Sequence, residues 1–180
     1  NVQKIRSLFV PYYNVHNADL SRPYPGIVNV LDTLQQRGMM LAVASNKYQE
    51  ATYKLIKQYF PEIDFVQIFG QREGVPAKPD PTVIFEIIEK TGVKKEEVVY
   101  LGDSCVDMQT GINAGVTTIG VSWGFRPRTE LEAYHPDFIA DPHRRYSEIS
   151  DRIKKNATGL VRFHPSGTCI TCGALKNFIR

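Results

Sequence analysis

The stretch VVYLGDSCVD, residues 98–107, predicts both the fold and the position of a candidate site. Its first four residues form a short apolar run, which is typical of a strand buried on both faces. Asp103 follows the run, and from Cys105 onward apolar residues recur at helical spacing as far as Gly115. Asp103 and Asp107 are therefore expected where a parallel strand leads into a helix, which is where open α/β sheets bind ligands. Two carboxylates at such a place suit Mg²⁺ bound beside a phosphate group.

Helix capping is an alternative explanation for the same residues. Ser104-x-x-Asp107 resembles a capping box, and an acidic side chain in the first turn suits the helix dipole in any protein. This stretch alone leaves capping and metal binding open, so other segments must decide between them.

Length, composition and charge exclude several classes of protein. The chain has 180 residues, 42% of them hydrophobic, which is enough for one domain with a real core. The net charge of +3 is spread in alternating signs along the predicted helices, so we expect no nucleic-acid partner. No apolar run approaches membrane-spanning length, so we expect no membrane partner. Three cysteines without framework spacing favour a reducing compartment, and the predicted location is cytoplasmic.

Strand-like and helix-like segments alternate along the chain. The predicted strands cover residues 41–44, 65–69, 98–101, 117–121 and 138–140, and the predicted helices cover residues 2–12, 26–37, 48–59, 81–91, 105–114, 128–134 and 146–153. The first helix is expected to be interrupted at Pro11, and Asp80 is expected to cap the helix that Pro81 opens. This order predicts an α/β fold with a doubly wound parallel sheet, whose right-handed crossovers bring the strand ends to one rim.

Polar residues from three distant segments are expected at that rim. They are Ser45 and Asn46 after the first strand, Lys78 in the loop before Asp80, and the two aspartates already described. Ser45 or Asn46 could instead cap a helix, and Lys78 could be one more solvated lysine. Taken together, however, a hydrogen-bond donor, a fixed positive charge and ligands for Mg²⁺ predict a phosphate site.

Three segments resemble motifs of one superfamily of enzymes. LAVASNK (41–47), AKPDP (77–81) and VVYLGDSCVD, in this order and spacing, are similar to the second, third and fourth motifs of the haloacid dehalogenase superfamily of phosphohydrolases. Within that superfamily, SNK, the loop GQREGVPAKPDP and the later GVSWGF are most similar to phosphoglycolate phosphatases. The resemblance covers about residues 1–155.

The resemblance implies a role for each residue of the predicted phosphate site. Ser45 would hydrogen-bond the transferring phosphoryl group, with Asn46 as an adjacent donor, and Lys78 would neutralise its charge. Asp103 would bind Mg²⁺ directly, and Asp107 would support the metal or its waters. The implied reaction is hydrolysis of a small phosphorylated metabolite through an aspartyl-phosphate. A sugar-phosphate phosphatase or phosphoglucomutase of the same superfamily, and a non-catalytic module with this fold, are the alternatives.

The chain departs from the family pattern in one motif. The superfamily's first motif is an Asp-x-Asp pair that supplies the nucleophile, and no two aspartates of this chain are two residues apart. Since the chain opens with Asn1 in what reads as mid-element, the expectation is an N-terminally incomplete protein. The family's first strand lies between the strands predicted at 41–44 and 98–101. We therefore expect these two strands to pair directly, to leave a gap or to borrow a strand, and the 180-residue chain to be inactive and poorly stable.

The expected organisation has three parts. Residues 1–20 would be a remnant of a helical cap, residues 21–155 an α/β core without its first strand, and residues 156–180 a loosely ordered extension. Segments 160–163 and 168–171 of the extension could form a hairpin. Cys169, Cys172 and His164 offer three potential zinc ligands, but a structural site needs a fourth, and the context of a redox Cys-x-x-Cys is lacking. Oligomeric state is not predicted.

The GVSWGFRPR segment offers weaker candidates. Arg126 and Arg128 could meet a substrate carboxylate, although solvated arginines are the default expectation. Trp123 and Phe125 are expected to line the core or a contact with the cap rather than a binding platform.

Overall fold

A computed structural model of the protein describes residues 2–141 and 169–172. The helices are α1 (Val2–His16), α2 (Ile27–Gln36), α3 (Gln49–Tyr59), α4 (Thr82–Thr91), α5 (Cys105–Ala114) and α6 (Arg128–Glu132). The strands are β1 (Met40–Tyr48), β2 (Phe65–Gln71), β3 (Val98–Gly102), β4 (Thr117–Val121), β5 (Phe138–Ala140) and β6 (Cys169–Cys172). Among these helices, none combines the length and the apolar character needed to cross a membrane.

The six strands form one sheet in the order β2-β1-β6-β3-β4-β5, and every neighbouring pair is parallel. Alternate residues of each strand face opposite sides, so the sheet separates two apolar clusters. Leu41 and Val43 pack with α2 and α3 on one side, whereas Ala42 and Ala44 pack with α4 on the other. The predicted doubly wound α/β fold is confirmed.

The centre of the sheet is occupied by the last strand in the chain. β6 pairs with β1 from Met40 to Val43 on one side and with β3 from Val98 to Leu101 on the other. Of the three outcomes expected for the place between these strands, the structure therefore shows the borrowed strand.

The predicted hairpin of the C-terminal segment is wrong. Both edges of β6 are taken by β1 and β3, so it cannot pair with residues 160–163, which lie outside the described residues together with the helix predicted at 146–153. Residues 169–172 lie in the core sheet rather than in a separate extension. His164, the third of the potential zinc ligands, also lies outside the described residues, so the expectation that the segment does not form a structural zinc site is not tested.

Three helix boundaries differ from prediction. The first helix continues through Pro11 to His16 and leaves its apolar side exposed, with Leu8 71% accessible. Pro81 stands at the N-cap of α4 rather than opening it, while the Asp80 carboxylate accepts the Thr82 N–H at 2.9 Å. The helix predicted to reach residue 134 ends at Glu132. Pro11 was misleading because a helix tolerates proline where the missing donor and the ring are accommodated. Pro81 instead lies one residue before the helix that it was expected to open.

Candidate active site

A buried ion pair lies at the carboxyl end of the sheet. Lys78 reaches this rim from the loop after β2, and its Nζ lies 2.7 Å from Oδ1 of Asp107 in the first turn of α5. Lys78 is 8% and Asp107 2% accessible to solvent. The ammonium also donates to the Ala44 carbonyl oxygen at 3.0 Å and to the Tyr100 hydroxyl at 3.3 Å. Lys78 is therefore a fixed positive charge and not a solvated lysine.

Asp107 is surrounded by hydrogen-bond donors. The Tyr100 hydroxyl donates to Oδ1 at 3.2 Å, and Oδ2 accepts the Ser104 hydroxyl at 2.6 Å and the Asp103 N–H at 3.3 Å. Burial raises the pKa of Asp107, but the Lys78 charge and the hydrogen bonds from Lys78, Ser104 and Asp103 outweigh burial, so its pKa lies below the ordinary value. The carboxylate is ionised at neutral pH.

Capping and site formation turn out to be compatible. Ser104 is the N-cap of α5, and its Oγ accepts the Asp107 N–H at 3.3 Å while donating to the Asp107 carboxylate. The same carboxylate pairs with Lys78 from a distant loop. The capping hydrogen bond thus orients Asp107 toward the rim, and neither explanation excludes the other.

Asp103 is positioned by the loop that follows β4. Its Oδ2 accepts the Phe125 N–H at 2.9 Å, and the residue is 2% accessible. A Cβ at Gly124 would lie only 2.2 Å from the Asp103 Cβ, so the loop backbone packs directly on this side chain. The GVSWGF segment therefore carries a backbone donor to Asp103, a contact that sequence reasoning missed because it depends on main-chain geometry.

Asn46 joins the first strand to the lysine loop. Its side-chain amide donates to the Lys78 carbonyl oxygen at 3.0 Å, and its Oδ1 accepts the Lys78 N–H at 2.9 Å. This reciprocal pair fixes the backbone of Lys78 rather than leaving Asn46 as a capping residue. Ser45 precedes it within β1, which continues to Tyr48 instead of ending at residue 44 as predicted, and its Oγ accepts the Lys47 N–H at 3.1 Å.

A second cation lies at the same strand end. The Lys47 Nζ lies 2.7 Å from the Tyr13 hydroxyl and 5.1 Å from the centre of the Tyr13 ring. Tyr13 belongs to α1, so the N-terminal helix meets the rim at this point. Among the residues that the structure describes, no carboxylate forms a salt bridge with Lys47.

The donor set fits a magnesium ion. Mg²⁺ prefers carboxylate oxygens, commonly binds through one or two protein carboxylates, and keeps several waters. Asp103 and Asp107 provide such oxygens, and the described part of the chain holds no cluster of three or more acidic, histidine or cysteine ligands that would suit another metal better. Both Asp107 oxygens accept hydrogen bonds, from Lys78 at Oδ1 and from Ser104 and the Asp103 N–H at Oδ2.

The structure thus brings together Asn46, Lys78, Asp103 and Asp107, and it places Ser45 next to Ala44, whose carbonyl oxygen accepts from Lys78. Sequence reasoning missed the Tyr100 hydroxyl at the centre of this cluster. Tyr100 lies in an apolar run and is fully buried, so only its contacts identify it as a polar contributor.

The weaker candidates behave as surface and packing residues. Arg126 pairs with Glu130 at 3.6 Å, and Arg128 pairs with Glu132 at 2.7 Å and with Asp141, as expected of solvated arginines. Trp123 packs against the first apolar cluster, whereas the Phe125 side chain is 60% accessible.

Comparison with known proteins identifies the family of this chain. A family model described as haloacid dehalogenase-like hydrolase matches residues 1–121. The phosphoglycolate phosphatase of Agrobacterium fabrum is 34% identical over 148 residues, covering 78% of this chain and 60% of the relative. That of Vibrio parahaemolyticus is 31% identical over 146 residues, covering 81% of this chain and 64% of the relative. The chain therefore spans less than two thirds of the length of these relatives.

Solved structures show the same fold. A candidate phosphoglycolate phosphatase from Lactobacillus delbrueckii superposes with a TM-score of 0.76 at 34% identity, covering 84% of this chain and 62% of that one. A candidate beta-phosphoglucomutase from Thermotoga maritima, at 20% identity, superposes with a TM-score of 0.64 over 71% of this chain and 60% of that one. The second likeness concerns the fold alone.

Proposed function

This chain belongs to the haloacid dehalogenase-like hydrolase family, and we propose that its protein is a Mg²⁺-dependent phosphomonoester hydrolase of the phosphoglycolate phosphatase type. The observation that carries the proposal is the buried Lys78–Asp107 pair at the rim beside Asp103. A fixed cation next to carboxylates that suit Mg²⁺ matches the charge of a phosphoryl group in transfer.

Each residue contributes to binding or positioning in the proposed reaction. The Lys78 ammonium neutralises charge on the phosphoryl oxygens, while Asn46 holds its backbone and Ser45 donates a hydrogen bond to the same group. Asp103 and Asp107 would hold Mg²⁺, which when bound supplies electrostatic stabilisation of the phosphoryl oxygens. In the parent protein, a carboxylate oxygen of the Asp-x-Asp motif that this chain lacks would attack phosphorus, and the ester P–O bond would break as the leaving oxygen takes a proton from the second aspartate of that motif. The second aspartate would then take a proton from the water that hydrolyses the aspartyl-phosphate, which releases phosphate and restores the carboxylate.

We propose further that the 180-residue chain does not itself turn over substrate. It contains no Asp-x-Asp pair, and the central strand β6 consists of Cys, Ile, Thr and Cys, none of which is a carboxylate. The pure chain is therefore expected to release no phosphate from p-nitrophenyl phosphate, with or without Mg²⁺. Mg²⁺-dependent release above a no-protein control would contradict this proposal.

The coding DNA offers an independent test of the parent activity. An in-frame apolar run ending in Asp-x-Asp, upstream of the Asn1 codon, would supply the missing nucleophile and support the enzyme. A start codon close to Asn1 would instead favour a non-catalytic module with this fold.

The proposed substrate class rests on Lys47. This cation lies two residues after Ser45, is half-buried, and is held by the Tyr13 hydroxyl of α1. A substrate that carries a second anionic group besides its phosphate, as phosphoglycolate does, would provide Lys47 with a negative partner. A sugar phosphate has no carboxylate to place there.

Lys47→Met is expected to weaken binding of 2-phosphoglycolate about 10- to 100-fold, because a charge-assisted hydrogen bond contributes about 1.5–3 kcal/mol. Isothermal titration calorimetry of the 180-residue chain with 2-phosphoglycolate, in the presence of Mg²⁺, measures this affinity. Lys54→Met, at an exposed lysine of α3, is the matched control. Binding of ethyl phosphate and inorganic phosphate should not change. If Lys47→Met weakened binding of 2-phosphoglycolate and of ethyl phosphate equally, Lys47 would not recognise the substrate carboxylate. If the unaltered chain bound none of these phosphates, the phosphate site itself would be contradicted.

A further inference from the structure

The C-terminal end of α1 is anchored on the core of the protein. The Tyr59 hydroxyl of α3 lies 2.7 Å from the Ser21 carbonyl oxygen and 3.1 Å from that of Ala18, both in the segment that follows α1. The Asn17 side chain donates to the Tyr13 carbonyl oxygen at 2.8 Å and satisfies an acceptor in the last turn of the helix. The end of α1 is therefore held against α3, the helix that directly follows β1.

The Tyr13 ring is oriented by aromatic neighbours from two elements. It stacks on Phe9, one turn earlier in α1, with ring centroids 5.3 Å apart, and it meets the Tyr48 ring of β1 edge-on at 6.5 Å. Edge-on and stacked contacts at these distances are the favourable geometries for aromatic pairs. The hydroxyl of this oriented ring lies 2.7 Å from the Lys47 Nζ. The lysine–tyrosine contact is thus built from both sides rather than formed by two loose surface side chains.

This contact leaves both partners with a donor for a ligand. An ammonium group has three N–H donors and no acceptor, so Lys47 donates and the Tyr13 oxygen accepts. The phenol keeps its own O–H proton, and no oxygen in the described part of the chain accepts it. A charged donor and a neutral donor therefore lie 2.7 Å apart, two residues beyond Ser45 of the phosphate site.

We propose that Tyr13 is a binding residue for the substrate carboxylate, donating its O–H to one carboxylate oxygen while Lys47 donates to the other. The inference rests on the proposed function and extends its carboxylate contact from β1 to α1. A carboxylate accepts two hydrogen bonds at once from paired donors, as it does from the fork of an arginine. An uncharged group at this place would leave the ammonium without a negative partner. The pair therefore selects a phosphorylated hydroxy acid over a sugar phosphate.

Tyr13→Phe tests the hydroxyl alone, because phenylalanine keeps the ring contacts with Phe9 and Tyr48. The variant is expected to bind 2-phosphoglycolate about tenfold more weakly, as loss of one hydrogen bond to a charged group does. Isothermal titration calorimetry of the 180-residue chain in the presence of Mg²⁺ measures the affinity. Ethyl phosphate, which lacks the carboxylate, should bind the variant and the unaltered chain equally.

Tyr53→Phe is the matched control. Tyr53 is half-exposed on α3, and the Lys57 Nζ lies 5.8 Å from the centre of its ring, so this substitution removes a hydroxyl from another lysine–tyrosine pair. It should change neither affinity. If Tyr13→Phe bound 2-phosphoglycolate as tightly as Tyr53→Phe does, or lost affinity equally for 2-phosphoglycolate and ethyl phosphate, the inference would be overturned.

A double variant separates donation by Tyr13 from mere support of Lys47. Added to Lys47→Met, Tyr13→Phe should weaken binding of 2-phosphoglycolate by a further factor of about three or more, because the phenol donates in its own right. No further loss would show that Tyr13 acts only by holding Lys47, and the inference would fail while the proposed function stood. If the unaltered chain bound neither 2-phosphoglycolate nor ethyl phosphate, the proposed function would fail and this inference with it.

Discussion

Lys78→Met is expected to lower the free energy of unfolding by about 3–5 kcal/mol, as removal of one partner from a buried ion pair does. Asp107 is 2% accessible, and without the ammonium 2.7 Å away its charge would remain buried with only neutral donors. Methionine matches the lysine stem in length, so little packing is lost and the effect reports mainly on charge. Urea denaturation followed by circular dichroism measures it.

Two further variants separate the buried charge from the loss of a lysine. Lys54→Met, at an exposed position on α3, should change the free energy of unfolding by no more than about 0.5 kcal/mol. Adding Asp107→Asn to Lys78→Met removes the unpaired charge and keeps a side chain that accepts from Ser104, so the double variant should recover most of the loss. If Lys78→Met and Lys54→Met had the same free energy of unfolding, the claim that the buried Lys78–Asp107 ion pair stabilises the fold would be contradicted.

Gly102→Ala is expected to cost about 3 kcal/mol, at the upper end of the usual range for overpacking a core. A Cβ at this position would lie 2.1 Å from the Cβ of Asp107 and 2.9 Å from its Cγ. Either β3 or the first turn of α5 must move, and the carboxylate that pairs with Lys78 moves with it. Urea denaturation gives the stability, and titration with inorganic phosphate and Mg²⁺ should show weaker binding than in the unaltered chain.

The neighbouring strand provides the control for this substitution. Gly120 of β4 is the register partner of Gly102, and the nearest atom to a Cβ there lies at 3.4 Å, which is close to ordinary contact. Gly120→Ala should therefore cost less than about 1 kcal/mol and leave phosphate binding unchanged. Equal losses for the two variants would mean that loss of glycine itself, and not contact with Asp107, is responsible.

Particular residues show why much of the core was predictable. Val98–Leu101 and Leu41–Ala44 read as strands because a parallel strand buried on both faces needs an almost uninterrupted apolar run. Ser104 and Gly115 bound α5 as predicted, because capping chemistry acts within a few residues. Apolar runs and capping residues act over a few neighbouring positions, so the local sequence is sufficient to predict the elements that they form.

Other features depended on contacts between distant residues. Tyr100 reads as one more apolar strand residue until its hydroxyl is seen between Lys78 and Asp107. α1 passes through Pro11 although its sequence indicates a break, and the helix extends far enough to bring Tyr13 to Lys47. Neither result follows from the spacing of residues in the sequence, because each depends on contacts with residues that are distant in the chain.

The amino-acid sequence by itself determined the alternation of strands and helices, the parallel sheet, and the arrival of Asn46, Lys78, Asp103 and Asp107 at one rim, because right-handed crossovers leave few other arrangements. Only the tertiary structure decided which strand fills the centre of the sheet. Residues 168–171 were expected to pair within a C-terminal hairpin, but backbone pairing depends on an available edge more than on side-chain identity, so CITC lies instead between β1 and β3.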